Sequence, residues 1–331
     1  MSASDERRDK TTSELRRAVG VSAGRPEAVD PAILALVAEE AAKGGAEPTL
    51  AELRAAYLPT AVALGGEPAA VAAVEDVAVP RPDGGAVPVR VYRPLEPWAV
   101  PGLALIWFHG GGWVLGDLDG FDRVARQLAN AGRCVCVSVD YRLAPEHPFP
   151  AAIEDARAVV AWATGAGAVV LRTDPARVAV GGDSSGGQVA AAAAVGARDA
   201  VCAQLLVYPA LDPQLASAAY AEFADGPMLT AAAMQTFWAA YRGERPAGDP
   251  ALDVRAGDLR GAPPARIAIA AHDPLRDDGL RYAELLGAAG VAVQTLTFPT
   301  MTHGFLRWGG VVDEAADALA WLTAGLRAPA G

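Results

Sequence analysis

Short apolar segments alternate with longer segments of helical spacing from about residue 103 to the end of the chain. The first, Leu103–Phe108, contains no polar residue, as expected of a strand buried on both faces. The later predicted strands are Cys134–Val139, Val178–Gly181, Gln204–Tyr208, Arg266–Ala271 and Ala292–Phe298. The predicted helices are Phe121–Ala131, Ala151–Ala163, Gln188–Ala197, Leu275–Ala289 and Asp313–Leu326. This alternation predicts an α/β fold, with a mostly parallel central sheet and helices on both faces.

The region just before this alternation has a different pattern. Val74–Pro80 and Ala86–Tyr92 alternate between apolar and polar positions, and Pro82-Asp83-Gly84-Gly85 between them is typical of a turn. The two runs therefore predict a β-hairpin, which adds an antiparallel edge to the sheet.

Two helices are predicted ahead of the hairpin. The pair Asp30-Pro31 is typical of an N-cap followed by the first helical residue, and this helix is expected to end at the glycines 44–45. Thr49-Leu50-Ala51-Glu52 is a capping box, which begins a second helix expected to extend through Tyr57. From the residues alone, these helices either decorate the core or form part of a lid.

A long connection between Leu211 and Pro264 interrupts the alternation. Insertions of this length in compact domains are usually functional or disordered. It contains one predicted helix, Thr230–Tyr241, whose large side chains along one side are Met234, Phe237, Trp238 and Tyr241. Such a stripe packs either in the core or against a substrate. We interpret residues 1–331 as a single domain.

The composition argues against several classes of function. The 331 residues carry a net charge of −11 and a pI near 4.9, which disfavours binding to nucleic acid or to an anionic membrane. Residues 1–17 lack the apolar run of a signal peptide, and the longest weakly polar run, Ala158–Leu171, is too short to span a bilayer. The cysteines form no disulfide or metal pattern, and Cys134 and Cys136 are expected to be core residues. We therefore expect a cytoplasmic protein.

The segment Gly182-Asp183-Ser184-Ser185-Gly186 has the G-x-S-x-G pattern of a nucleophile elbow. A β-branched apolar run precedes it and an Ala-rich helix follows, which is the strand–turn–helix context that the motif requires. In this context Ser184 projects its hydroxyl above the strand end, and the N–H of Ser185 faces the same site at a helix N-terminus. The alternative is a plain turn between a strand and a helix without catalytic function. Residues elsewhere in the chain are needed to distinguish the two interpretations.

A serine nucleophile needs a base, and in this type of elbow the base follows the serine in the chain. His303 meets this condition, in a loop after the last predicted strand, from which its imidazole can return over the sheet. The other histidines precede the serine or lie beside the acid candidate, and they are His109, His147 and His272.

The acid that orients the base is expected between the serine and His303. Asp273 directly follows the strand Arg266–Ala271, and catalytic groups in open α/β sheets collect at the carboxyl ends of strands. Asp277 is the second candidate, although it falls within the next predicted helix.

The loop His109-Gly110-Gly111-Gly112-Trp113 follows the apolar strand Leu103–Phe108. An H-G-G-G loop donates backbone N–H groups to an oxyanion, and its glycines let the backbone approach the substrate carbonyl. A dinucleotide-binding loop is the weaker interpretation, because Leu115 stands where G-x-G-x-x-G requires its last glycine.

Together these segments resemble the bacterial hormone-sensitive-lipase-like (family IV) esterases of the α/β-hydrolase superfamily. The matching segments occur in the family's order and are His109-Gly110-Gly111-Gly112, Asp140–His147, Gly182–Gly187, Asp273–Asp277 and His303-Gly304-Phe305. Two positions depart from the family pattern, since Ser185 replaces the usual alanine and Asp278 stands where glutamate is common.

The resemblance implies a role for each matching residue. The implied catalytic residues are the nucleophile Ser184, the base His303 and the acid Asp273. The implied oxyanion donors are the N–H groups of Gly111, Gly112 and Ser185, with Gly110 as a further candidate. The residues expected to contact substrate are Trp113 and Asp183. Arg142 and Glu146 are expected to form a buried charge pair under the site.

The resemblance also implies an α/β-hydrolase fold with a helical cap. The cap is expected from about residues 1–60 and 211–264, and the catalytic core from about 74–210 and 265–331. The predicted function is a serine carboxylesterase that hydrolyses short- to medium-chain esters through an acyl-enzyme intermediate.

The alternatives to an esterase are an amidase, lactonase or deacetylase with the same triad, and a non-catalytic small-molecule-binding member of the fold. We expect no metal and no organic cofactor. The expected partner is a small-molecule ester substrate. We expect no nucleic-acid partner and no membrane span, and the chain is a candidate homodimer.

Overall fold

The structure is a computed structural model that describes residues 28–43, 49–95 and 101–326. Its strands are β1 (Ala73–Pro80), β2 (Ala86–Arg93), β3 (Gly102–Phe108), β4 (Val135–Val139), β5 (Thr173–Asp183), β6 (Ala203–Val207), β7 (Ala265–His272) and β8 (Val293–Thr302). They form one eight-stranded sheet in the order β1-β2-β4-β3-β5-β6-β7-β8. β2 pairs antiparallel with both β1 and β4, and every other pair is parallel. The mostly parallel sheet with an antiparallel hairpin at one edge is confirmed.

Helices connect most of the parallel strands. They are α1 (Pro31–Lys43), α2 (Leu50–Leu64), α3 (Asp122–Gly132), α4 (Ala151–Ala163), α5 (Gly167–Leu171), α6 (Ser185–Gly196), α7 (Ala218–Glu222), α8 (Ala231–Arg242), α9 (Arg276–Ala288) and α10 (Glu314–Ala324). Two 3₁₀ turns cover Val254–Ala256 and Phe305–Arg307. No helix in the described ranges combines the length and the apolar character that a bilayer crossing requires. The glycines 44–45, the predicted end of α1, and residues 1–24 lie outside the described residues.

Both faces of the sheet are covered, which explains why β3 contains no polar residue. Side chains on one face, including Ile106, pack in a core with α4 and α6. Those on the other face, including Leu105, pack with α3 and α10. Cys134 and Cys136 are buried together in this second core, as predicted.

Helix α2 is longer than predicted. It continues past Tyr57 to Leu64, although Pro59 lies inside it. A proline in a helix interior removes one backbone hydrogen bond. Tyr57 and Ala61, one turn apart on the same face, are both buried. Their packing compensates for the lost bond, because tertiary packing contributes most of a helix's stability in a protein.

Strand β8 also extends further than predicted, to Thr302 instead of Phe298. The extra residues pair with the end of β7, where Thr302 lies opposite His272 after a register shift. His303 therefore follows the strand directly, at the same edge of the sheet as the end of β5.

The predicted buried pair of Arg142 and Glu146 is wrong. The Nε of Arg142 donates to both carboxylate oxygens of the buried Asp155 on α4, at 3.0 Å each, and its Nη2 donates to Glu154 (3.1 Å). Glu146 is exposed and accepts from both terminal nitrogens of Arg54 on α2, at 2.7 and 2.8 Å. Arg142 pairs with the next helix along the chain, and Glu146 pairs with a residue 92 positions earlier. Local spacing within the segment reveals neither partner.

The insertion between β6 and β7 is attached to the core through the buried carboxyl of Asp278 on α9. Its Oδ2 accepts hydrogen bonds from the N–H groups of Leu211 (2.8 Å) and Asp212 (2.9 Å), and from the hydroxyl of Tyr220 (3.3 Å) on α7. Oδ1 has no partner among the described residues. Burial, which removes hydration, raises the pKa of Asp278 to about 8 despite these donors.

The raised pKa of Asp278 predicts that the protein loses stability as the pH rises. The folded state keeps this proton up to about pH 8, whereas a solvated aspartate loses it near 3.8, so the folded state binds more protons in between. The free energy of unfolding then falls by up to about 1.4 kcal/mol per pH unit from this group. Asp278→Asn keeps the accepting oxygen and places its amide at the unpartnered position, so this slope should disappear.

Denaturant unfolding of the wild type and of Asp278→Asn, from pH 5 to 8, measures the difference in slope. Asp199→Asn, at an exposed position, is the matched control. An Asp278→Asn protein with the same pH dependence as the wild type would contradict the assignment.

Candidate active site

Ser184 occupies the sharp turn between β5 and α6, as predicted. Its φ of 55° and ψ of −122° are strained for a residue with a side chain. Its N–H donates to the carbonyl of Val207 (2.9 Å). A Cβ at Gly182 would collide with the backbone of Gly186, and one at Gly186 would collide with the carbonyl oxygen of Phe108. Glycine is required at both positions because three backbone segments approach closely there.

Ser184, His303 and Asp273 form one chain of hydrogen bonds. Nε2 of His303 is 2.9 Å from Oγ of Ser184, and Nδ1 is 2.8 Å from Oδ2 of Asp273. Because a carboxylate only accepts, Nδ1 carries the proton and Nε2 accepts from the serine hydroxyl. Asp273 is completely buried, and its Oδ1 accepts from the N–H of Leu275 (2.8 Å). The structure thus brings the three predicted residues together in the arrangement that activates a serine.

The other histidines and the second acid candidate do not line the cavity beside Ser184. The ring of His109 stacks on Tyr141 at 4.5 Å between centroids, and burial lowers the pKa of His109 to about 4, so the ring is neutral. His147 is exposed. Asp277 accepts a backbone N–H of α7 (3.0 Å) and does not face His303.

The glycine loop after β3 lines the same cavity as the serine. Gly111 and Gly112 have φ values of 133° and 60°, a region that favours glycine. Within the described part of the chain, the N–H groups of Gly111, Gly112 and Ser185 have no hydrogen-bond partner, which leaves them available to an oxyanion. Gly110 instead donates its N–H to Oδ1 of Asp183 (3.1 Å). The prediction of Gly110 as an oxyanion donor is therefore wrong, and its N–H fixes the loop.

The two residues expected to contact substrate differ in their placement. Trp113 is completely buried, donates from Nε1 to Gln188 (3.3 Å) and stacks on Tyr241 at 4.4 Å, so its predicted substrate contact is wrong. Its backbone, with a φ of 61°, is left-handed. Asp183 lines the cavity, but its carboxyl is buried and already bonded to Gly110. Burial raises the pKa of Asp183 to about 6.

Comparison with known proteins identifies the family of this chain. A family model described as alpha/beta hydrolase fold matches residues 105–307, more than half of the chain. The chain belongs to the α/β-hydrolase family. The chain order Ser184, Asp273, His303 is the one expected for an α/β-hydrolase.

Individual α/β-hydrolases resemble the chain over most of its length. It is 44% identical to Esterase LipI of Mycobacterium tuberculosis over 74% of this chain and 78% of the relative. It is 45% identical to Carboxylesterase NlhH of the same species, over 70% of this chain and 75% of the relative. A hyperthermophilic esterase from the archaeon Pyrobaculum calidifontis superposes with a TM-score of 0.82 at 34% identity, covering 91% of this chain and 98% of that one. The predicted membership among the hormone-sensitive-lipase-like esterases is confirmed.

In this α/β-hydrolase the cavity above Ser184 has a volume of about 270 Å³. The segments outside the sheet that line it contribute Leu53, Ala56, Tyr57 and Thr60 from α2 and Met228, Leu229, Met234 and Phe237 from the insertion. On α8, Met234 and Phe237 line the cavity, and Met234, Trp238 and Tyr241 all belong to the core. The row of large side chains on α8 therefore contributes both to the core and to the cavity wall, the two alternatives that the sequence left open.

The contacts that Tyr57, Tyr208 and Arg307 make at the cavity were not predicted. The hydroxyl of Tyr57 donates to the carbonyl of Gly110 (3.1 Å), and the ring of Tyr208 lies 4.6 Å from that of His303. The guanidinium carbon of Arg307 lies 4.4 Å from the centroid of the Tyr57 ring. Tyr208 directly follows β6, so the strand-end rule that found the acid also points to it. Tyr57 and Arg307 come into contact only because α2 packs over the turn that carries Arg307. No pattern in the sequence predicts this packing.

Proposed function

We propose that the protein is a serine carboxylesterase, with Ser184 as nucleophile, His303 as general base and Asp273 as the residue that orients the imidazole. The observation that carries this proposal is the continuous hydrogen-bond chain from Asp273 through His303 to Ser184 at the wall of a cavity. The esterase relatives, at 44–45% identity, support the same reaction.

Acylation begins when Oγ of Ser184 attacks the ester carbonyl carbon and its proton moves to Nε2 of His303. The buried carboxylate of Asp273 stabilises the resulting imidazolium. The tetrahedral oxyanion accepts hydrogen bonds from the N–H groups of Gly111, Gly112 and Ser185, each worth about 3 kcal/mol in the transition state. The intermediate collapses when His303 protonates the departing alcohol, which leaves the acyl group on Ser184.

Deacylation repeats these steps with water as the nucleophile. His303 takes a proton from the water as it attacks the acyl-enzyme, and the same N–H groups hold the second oxyanion. Collapse returns the proton to Oγ of Ser184 and releases the carboxylic acid.

We infer that helix α2 and about residues 211–264 form a cap and that the cap limits the length of the acyl chain. The predicted cap also included residues 1–27 and 44–48, which lie outside the described residues. Support comes from α2 and α8, which line the cavity together with Ser184 and His303. At about 270 Å³, the cavity lies just below the usual range for small-molecule sites of roughly 300–1,000 Å³. Phe237 packs against Gly112, since a Cβ at this glycine would collide with its ring. This ring is the inferred end wall.

Short esters are expected to be the best substrates. Each added methylene favours binding by about 0.8 kcal/mol until the wall is reached, after which the trend reverses. We expect kcat/KM for p-nitrophenyl esters to peak between acetyl and hexanoyl and to fall at dodecanoyl and beyond. Phe237→Ala should move the optimum to longer chains.

Phe223→Ala is the matched control, because Phe223 is a half-buried phenylalanine of the same insertion that packs on His272 outside the cavity. The panel includes anilides and lactones to test the amidase and lactonase alternatives. A steady rise of kcat/KM into long-chain esters, unchanged in Phe237→Ala, would contradict the short pocket. Hydrolysis of anilides alone would contradict the esterase.

A non-catalytic binding role is disfavoured by the hydrogen-bonded triad and by the unoccupied N–H groups beside it. A cytoplasmic location, the absence of nucleic-acid partners and a homodimer stay predictions from the sequence.

A further inference from the structure

A charged side chain that takes no part in the proposed mechanism lines the cavity beside Ser184. Arg307 belongs to the 3₁₀ turn that follows His303, and its guanidinium carbon lies 4.4 Å from the ring centroid of Tyr57 and 5.9 Å from that of Phe121. Stacking on aromatic rings engages the face of a guanidinium. Arg307 also hydrogen-bonds with the side chain of Tyr57, and its remaining in-plane N–H donors are available to a ligand.

Arg307 has no carboxylate within 4.0 Å in the described part of the chain, whereas several other arginines there do. Nη1 of Arg90 lies 2.7 Å from Asp119, and Nη2 of Arg255 lies 2.9 Å from Asp212. The carboxyl of Asp183 influences Arg307 only from a longer distance, and it already accepts the N–H of the first loop glycine.

The guanidinium of Arg307 stays charged in this setting. Burial alone would lower the pKa of Arg307, but the neighbouring Tyr57 and Asp183 outweigh it and raise the pKa above its ordinary value. A positive charge that is partly removed from water without a bonded counterion is unfavourable, and it gains most from a ligand that supplies one.

We propose that Arg307 binds a carboxylate on the substrate, so that the preferred esters are half-esters of short dicarboxylic acids. This inference rests on the proposed carboxylesterase function. A carboxylate matches the planar fork of a guanidinium with two parallel hydrogen bonds. Arg307 and Ser184 line the same cavity of about 270 Å³. A ligand that reaches both residues is therefore one small molecule that carries the carboxylate and the scissile ester. Monoethyl esters of malonate, succinate and glutarate cover the relevant spacings.

The decisive comparison is monoethyl succinate against diethyl succinate, which differ in the free carboxylate and share the acyl chain. In Arg307→Gln, the ratio of kcat/KM for the half-ester to that for the diester should fall at least tenfold, mainly through KM of the half-ester. Arg307→Lys, which keeps the charge, should recover part of this ratio. Added salt should raise KM for the half-ester more than for the diester.

Arg245→Gln is the matched control for the loss of one positive charge. Arg245 pairs with Asp249 (2.7 Å) and stands outside the cavity, so this variant should keep the wild-type ratio. If Arg307→Gln lowers both activities by the same factor, Arg307 is a structural partner of the Asp183 region and the proposal fails. A wild type that discriminates against the half-ester, with an unchanged ratio in Arg307→Gln, would also overturn it.

Calorimetric titration separates this inference from the proposed function. Succinate and monoethyl succinate are titrated into Ser184→Ala with and without Arg307→Gln, which reports binding without turnover. Loss of binding in the double variant supports the carboxylate subsite even if hydrolysis of both esters is absent and the esterase proposal fails. Equal binding to both proteins refutes the subsite even if the esterase proposal holds.

Discussion

Ser184→Ala is expected to lower kcat for ester hydrolysis by about a millionfold, the scale of losing a triad serine. The hydroxyl of Ser184 is the group hydrogen-bonded to His303 at 2.9 Å, and alanine leaves nothing there to form the acyl-enzyme. The fold should persist, because the strained turn is held by backbone contacts and flanking glycines rather than by the hydroxyl. The measurement is kcat and KM for p-nitrophenyl acetate, together with the melting temperature.

Ser217→Ala is the matched control for this substitution. The hydroxyl of Ser217 is buried and has no hydrogen-bond partner among the described residues, and it lies outside the cavity. This variant should keep near wild-type activity. A folded Ser184→Ala protein that retains more than about a hundredth of the wild-type kcat would contradict the nucleophile, since removal of a triad serine costs far more.

His303→Ala should cause a loss of similar size, about a millionfold in kcat, because serine and base act as a unit. Without the imidazole no group accepts the serine proton, and the alcohol departs unprotonated. The space left by the imidazole borders the cavity and the ring of Tyr208. Added free imidazole should therefore restore part of the activity in a concentration-dependent way.

His147→Ala, at an exposed position on another loop, controls for the loss of a histidine. It should hydrolyse p-nitrophenyl acetate at close to the wild-type rate and show no response to imidazole. A correctly folded His303→Ala protein with a near-normal rate, or a large loss in His147→Ala, would show that the base is misassigned.

The sequence predicts the triad because each of its members depends on a rule about strand ends. Ser184, Asp273 and His303 are far apart in the chain, but each follows a predicted parallel strand. The carboxyl ends of parallel strands meet at one edge, so the order of the motifs was enough to predict their contact. Strand β8 extends to Thr302, so the loop between β8 and His303 is shorter than expected. His303 nevertheless lies at the predicted edge of the sheet.

Predictions that depended on the direction of a single side chain or N–H group were the ones that failed. Trp113 directly follows the glycine loop in sequence, but its ring packs against α8. The N–H of Gly110 is taken by the carboxyl of Asp183, a contact between two motifs that the sequence reveals only separately. Arg142, in the loop after β4, pairs with Asp155 on α4. Long-range packing decides such pairings, and neither spacing nor periodicity reports it.

Covalent trapping of the nucleophile tests the central claim most directly. The protein is incubated with a p-nitrophenyl alkylphosphonate, which a catalytic serine attacks and retains, and the intact mass and the labelled peptide are then determined. We expect one phosphonyl group per chain, carried by Ser184, and none in Ser184→Ala. A label on Ser185 or on any other residue, or complete loss of activity with no label at Ser184, would contradict it.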